Sequence, residues 1–229
     1  MRILCIIPVR GGSKGLPKKN SLEIKNGISL LEWTINQAHK TYPNEDVIVS
    51  TEDINLSNIA RLSGARVLNR PSYLAQDNSS TSDVVLDVLK QLEPYSYVYE
   101  AIAILQVTSA LREDNDINQS IEMIKTNLYD SIISVYETKD SHPAKQYYLE
   151  KINGIDVASS FVPSLQHANR QERPNVYQRN GAIFTVTKNY FFKTNKLWGG
   201  RIGVVKMPYE RSIDIDTAED LEKARLFIN

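Results

Sequence analysis

The 229-residue chain has one cysteine, Cys5, and three histidines. A single thiol forms no intramolecular disulfide, which excludes a bridged secreted scaffold and fits a reducing compartment. Cys5 lies inside an apolar strand pattern, where it reads as a small buried hydrophobe rather than a nucleophile. No apolar run approaches the roughly 18 residues of a membrane span, and no signal-like apolar stretch precedes the first strand pattern. The expectation is a soluble, cytoplasmic protein. Surplus charge is missing too: 27 basic side chains are matched by 27 acidic ones. Without a general field for nucleic acid or anionic lipid, any anion site has to be local and its ligand small.

Against that background the opening stretch stands out. Ile3 to Val9 is a continuous apolar run with β-branched residues, the pattern of a buried parallel strand. Arg10-Gly11-Gly12-Ser13-Lys14-Gly15-Leu16-Pro17-Lys18-Lys19-Asn20 follows it. This must be the loop leaving the strand's carboxyl end, where an open α/β sheet binds its ligand. Its glycines allow backbone N–H groups to turn toward one point, and Arg10, Lys14, Lys18 and Lys19 add cations, which suits a polyphosphate. Neither a Walker loop nor a dinucleotide fingerprint is present. Short glycine motifs recur by chance, so the loop alone leaves an idle basic turn open as the alternative.

The chain then alternates. Helical spacing is predicted from Ser29, its N-cap, to about Lys40, and again from Leu56 to Leu62, stopping at Gly64. Strand patterns cover Asp46–Thr51 and Ala65–Asn69. Alternating strands and helices predict right-handed crossovers and a largely parallel sheet with helices on both faces. Arg70 follows a strand end directly and opens a hydroxyl-rich loop that runs to Thr81. A helix through Val84 and Leu92, an apolar strand Ala101–Leu105, a polar cluster from Gln106 to Arg112, a helix capped by Asp114 or Asp116, and a strand Ser131–Tyr136 come next. From 137 to 179 the alternation stops. A tract of this length with aromatic residues is either a contact with a partner subunit or a β-hairpin lying on the parent domain. Strands Gly181–Lys188 and Ile202–Met207 and a final helix from Thr217 complete a single domain, 1–229, with 137–179 as an inserted segment.

Asp214 and Asp216 are separated by one residue, so on an extended segment both carboxylates face one side while Ile213 and Ile215 face the core. Two hard oxygen ligands on one face suit Mg²⁺, although an acidic turn capping the last helix has the same signature. Beside a polyphosphate loop the metal reading is the better one.

In its ordered motifs the chain resembles the CMP-sialic acid synthetases, the N-acylneuraminate cytidylyltransferases. The resemblance rests on Ile7 to Pro17 with Lys19-Asn20, Val49-Ser50-Thr51, Arg70-Pro71, Leu105-Gln106 with Thr108-Ser109, Leu111-Arg112, Asn180-Gly181-Ala182-Ile183 and Ser212 to Thr217. It implies a Rossmann-like nucleotidyltransferase fold and Mg²⁺-dependent transfer of CMP from CTP to a nonulosonic acid. It also implies a homodimer in which segment 137–179 reaches the neighbouring active site. Carried over by position, Arg10, Gly11, Gly12, Lys14, Lys19 and Asn20 surround the nucleotide, and Arg70 and Thr81 lie near the cytidine. Gln106, Lys145, Arg170 and Phe184 belong to the sugar site, and Asp214 and Asp216 hold the metal. Lys19, Arg10 and Asp216 carry the catalysis, with Asp216 the proton acceptor. Phe184 and Gln178-Arg179 depart from the sialate pattern of a tyrosine and an Arg-Pro pair. Legionaminic or pseudaminic acid therefore stands as an alternative acceptor. Two further alternatives are a nucleotidyltransferase acting on a sugar 1-phosphate and a catalytically silent nucleotide-binding module.

Overall fold

The computed structural model describes residues 1–12, 15–138 and 141–228. Its first half runs β1 (Ile3–Pro8), β2 (Glu23–Lys25), β3 (Ile28–Ser29), α1 (Leu30–His39), β4 (Val47–Thr51), α2 (Ile54–Leu62), β5 (Arg66–Asn69), α3 (Thr81–Gln91) and β6 (Ala101–Leu105). The second half runs α4 (Asp114–Lys125), β7 (Ser131–Glu137), β8 (Tyr147–Ile152), β9 (Ile155–Ser160), β10 (Tyr177–Thr187), α5 (Lys188–Thr194), β11 (Ile202–Lys206) and α6 (Ala218–Phe227).

Among the described residues the main sheet has seven strands in the order β11-β7-β10-β6-β1-β4-β5. Each pairing is parallel except those of β10, which runs antiparallel to both β6 and β7. Strand alternation divides the interior into two cores. Ile3, Cys5 and Ile7 pack with α1, α2, α4 and α6 on one face. Leu4 and Ile6 pack with α3 and α5 on the other. Both faces are covered, so β1 and β6 are apolar without a polar side, and each Ile or Leu fully buried there contributes about 1.5–3 kcal/mol. β4 and β5 lie on one side of β1 and β6 on the other. The chain therefore reverses its direction of travel at β1, and a crevice opens at the carboxyl ends of β1 and β6.

Several expected boundaries shift, each for a local reason. Glu113, not Asp114 or Asp116, is the N-cap of α4; Asp116 sits three residues on and its Oδ2 accepts the Glu113 N–H at 2.8 Å, closing a capping box. β10 begins at Tyr177, inside the tract read as irregular, because Tyr177 to Arg179 pair with Glu137 to Val135 before a bulge interrupts the ladder. The short ribbon β2–β3 has too few residues to show a period. Segment 137–179 does contain a β-hairpin, β8–β9, but it does not lie on the parent domain: its residues are exposed on both faces except Ser160.

Candidate active site

The crevice holds a cleft of about 410 Å³ walled by the β1 loop, the segment from Arg70 to Thr81, the start of α3, the turn after β6, and Asp216. The two distant motifs meet here. Lys19 Nζ lies 2.8 Å from Asp216 Oδ1, across 197 positions of sequence. Gly15 approaches the same segment: a Cβ on it would stand 2.7 Å from the Asp216 carbonyl oxygen, so only glycine fits there without displacing the chain.

The loop is tied down from within. Asn20 Nδ2 donates to the Arg10 carbonyl at 2.9 Å, and Lys19 enters a short 3-10 turn that leaves its side chain largely buried. Arg10 pairs with Asp77 across the cleft at 2.9 Å. Arg70 is buried at the wall, donating from Nη2 to the Ser50 carbonyl at 2.7 Å; burial pushes its pKa down, with the nearby Glu52 opposing. Thr81 reaches the cleft as the first residue of α3. Gly12 borders it with open space around its Cα, whereas Gly11 turns its N–H away to Glu52 Oε1 at 2.8 Å. Lys14 lies outside the described residues.

Gln106 lines the cleft from the turn after β6, and Gly181 makes room for it. Gly181 has φ of +79°, and a Cβ there would come within 3.2 Å of Gln106 Oε1. Beneath this contact Arg112, fully buried, fixes four neutral acceptors: the carbonyls of Gln106 and Ala182 at 2.8 Å each, Gln37 Oε1 at 3.1 Å and Thr34 Oγ1 at 3.3 Å. Burial lowers its pKa to about 10. The remaining sugar-site candidates lie apart. Phe184 is paired in β10 with Ile104 and Ile133, which turns its ring into the core under α5, away from the cleft wall. Lys145 borders a second cleft of about 420 Å³ within the inserted segment, with His142, Glu137 and Arg173. Arg170 begins the turn Arg170–Glu172.

The acidic segment has no regular secondary structure, yet it is held at several points. Ile215 is buried and donates its N–H to the Thr108 carbonyl at 2.9 Å, so Asp214 and Asp216 face outward on either side of it. Thr217 and Asp220 cap α6 reciprocally, and Asn180 Nδ2 donates to Ser212 Oγ at 2.9 Å. Desolvation raises the pKa of Asp214, and the charge of Asp216 adds to this against a hydrogen bond with Thr108. Among the described residues no cluster of three or more metal-binding side chains occurs. Two carboxylates close enough to repel still suit Mg²⁺, which takes one or two such ligands and completes its shell with water and substrate phosphates.

A family model described as cytidylyltransferase matches residues 4–229. The chain belongs to that family. Curated relatives include the N-acylneuraminate cytidylyltransferase of Escherichia coli O18:K1:H7, 32% identical over 97% of this chain and 51% of the relative. The enzyme of the same name from Streptococcus agalactiae serotype V is 30% identical over 96% of this chain and 52% of the relative. This chain thus spans about half the length of those relatives. A pseudaminic acid cytidylyltransferase of Campylobacter jejuni is 26% identical over 99% of this chain and 96% of its own length. A solved CMP:2-keto-3-deoxy-manno-octonic acid synthetase in complex with CTP superposes with a TM-score of 0.73 at 16% identity, covering 99% and 98% of the two chains. The 4-diphosphocytidyl-2C-methyl-D-erythritol synthase of Anaerococcus prevotii does so with 0.63 at 14%, covering 99% and 95%. These two likenesses support the nucleotidyltransferase fold.

Residues to which sequence reading gave no role also shape the site. Glu52 and Asp77 engage the basic loop, and Thr108, quoted above only as part of a motif, anchors the acidic segment. Their signal was position: each follows the carboxyl end of a strand or lies in the loop after one. Among the described residues no helix is long and apolar enough to cross a membrane.

Proposed function

We propose that this cytidylyltransferase transfers CMP from CTP to the anomeric hydroxyl of a nonulosonic acid and releases pyrophosphate. The observation that carries the proposal is the Lys19–Asp216 contact at the cleft, which sets a cationic triphosphate loop against an acidic segment. The curated relatives named for N-acylneuraminate and pseudaminic acid supply the acceptor class.

The hydroxyl attacks the α-phosphorus in line, the bond from that phosphorus to the bridging oxygen breaks, and pyrophosphate departs with that oxygen. Such a reaction needs positioning and charge neutralisation more than covalent help from the protein. Arg10, Lys14 and Lys19 stabilise the charge growing on the leaving group, and the backbone of Gly11 and Gly12 shapes the loop around it. Asn20 keeps that loop in place. Arg70 and Thr81 border the nucleoside. Gln106 orients the sugar, and Asp216, the one of the two acids on the cleft wall, takes the attacking hydroxyl's proton. Asp214 and Asp216 would hold Mg²⁺, which when bound polarises the α-phosphate.

The inserted segment reads as a dimer element. Tyr147, Tyr148, Leu149, Ile152, Ile155 and Phe161 are all at least 45% exposed on and beside the β8–β9 ribbon, more apolar surface than an isolated two-stranded hairpin sustains in water. A second copy covering it would bring Lys145 and Arg170 to the neighbouring acceptor, and Phe184 would support the sugar pocket from beneath. The reading places the enzyme in the cytoplasm, where CTP is made available. Purified protein with CTP and Mg²⁺ releases pyrophosphate with nonulosonic acids and not with a hexose 1-phosphate; the reverse preference, or CTP binding with no pyrophosphate from any acceptor, refutes the proposal.

A further inference from the structure

Two layers of contact join the turn after β6 to β10. On the cleft side, the Gln106 side chain lies against Gly181, where the missing Cβ leaves it room. In the buried layer, Arg112 Nη2 donates to the Gln106 carbonyl and Nη1 to the Ala182 carbonyl, each at 2.8 Å. One guanidinium thus sets the spacing of the two backbones whose outer groups meet at the cleft. It is itself held by α1. Its Nε donates to Gln37 Oε1 at 3.1 Å and Nη2 to Thr34 Oγ1 at 3.3 Å, while Gln37 Nε2 and Trp33 Nε1 donate to the Ala110 carbonyl at 3.0 and 2.9 Å. Arg112 is 1% exposed and all four of its acceptors are neutral. Packing alone does not explain a charge here, because an apolar side chain of similar length fills the same space without the cost of desolvating a cation. What the guanidinium adds is donors in a fixed planar fork, aimed at α1, the β6 turn and β10 together.

We propose that Arg112 is a positioning residue for the acceptor: by bridging the carbonyls of Gln106 and Ala182 it holds the Gln106 side chain at the cleft wall, in the pose that meets the sugar. This rests on the proposed function, which gives Gln106 that contact. The nucleotide side has supports of its own. Lys19, Asn20 and Arg70 are fixed by Asp216, the Arg10 carbonyl and the Ser50 carbonyl, to none of which Arg112 bonds. Loosening the bridge therefore weakens acceptor binding and leaves CTP binding as it is. Lysine does not take over, since one ammonium on a flexible stem cannot span two carbonyls and Gln37 in a single plane.

The test measures kcat and the KM values for acceptor and CTP by pyrophosphate release with Mg²⁺, using N-acetylneuraminate or pseudaminic acid, whichever the wild-type chain turns over faster. Gln106→Ala raises the acceptor KM about tenfold, the worth of one hydrogen bond. Arg112→Lys gives a similar rise, keeps KM for CTP within about threefold of the wild type, and adds less than about threefold in the Gln106→Ala background; a purely structural role adds the same factor in both backgrounds. Gln37→Leu, which leaves the charge in place and removes the Nε acceptor, is measured alongside and shows the same non-additivity, so the comparison stands even if Arg112→Lys does not fold. Effects that multiply, a KM for CTP that rises as much as that for the acceptor, a loss confined to kcat, or a lysine variant that behaves as wild type overturns the assignment. A wild-type chain that uses no nonulosonic acid while it binds CTP, or an unchanged acceptor KM in Gln106→Ala, is a different result: the first removes the proposed function, the second its role for Gln106, and this inference falls with either.

Discussion

Replacing Lys19 with methionine should produce opposite changes in two affinities. The ammonium sits 2.8 Å from Asp216 Oδ1, so it occupies the carboxylate proposed to hold the divalent cation. A unit charge pair at that separation interacts by about 6 kcal/mol at an effective dielectric of 20 and about 1.5 kcal/mol in water. Asp216 is 69% exposed, which puts the real value near the lower figure. Lys19→Met should therefore bind Mn²⁺ alone about tenfold more tightly than the wild type, measured by titration calorimetry or by the loss of free-ion signal in electron paramagnetic resonance. With CTP present, the same variant lacks the cation proposed to stabilise the leaving phosphates. Turnover should fall about a hundredfold, the effect of removing one well-placed charge-stabilising donor. Unchanged or weaker Mn²⁺ binding refutes the competition, and turnover within threefold of wild type removes Lys19 from the mechanism.

Other consequences can be checked more briefly. Gly15→Ala puts a Cβ 2.7 Å from the Asp216 carbonyl and must push the loop off the acidic segment, so kcat should drop up to about a hundredfold while the circular-dichroism melt stays cooperative. Leu149→Asp, at a residue 75% exposed, should convert a dimer to a monomer in light scattering; a wild-type monomer at micromolar concentration refutes the dimer reading. Burial lowers the pKa of His39 below its ordinary 6.5, and among the described residues its buried Nε2 has no hydrogen-bond partner. Protonation thus favours the unfolded chain, and stability should fall as pH drops below 6.5. His39→Gln should flatten that slope in urea titrations between pH 7 and 5, and an unaltered slope counts against it.

What the sequence disclosed and what it withheld follow from the range of each interaction. The α/β alternation was legible because a parallel strand buried on both faces has to be apolar throughout, as in β1 and β6, and because the caps at Ser29 and Thr217 act within three residues. The meeting of residues 15–19 with 216 was legible only indirectly, through the chemistry that a glycine-rich cationic loop and paired aspartates share. The role of Arg112 was not legible. An arginine after a polar turn has the composition of a surface residue, and nothing local shows that it will be buried against four acceptors from α1, the β6 turn and β10. Arg179 was misleading in the opposite way. In sequence it was a departure from a motif, and only the return of the chain through Trp198 gives its guanidinium a surface to lie on. The same holds for Phe184, whose register against Ile104 and Ile133 turns it into the core with α3 and α5 rather than into the cleft. The cleft walls are therefore built mostly from residues close in sequence to the ends of parallel strands, while Gly181, which makes room for Gln106, comes from β10, the strand that runs antiparallel to both its neighbours.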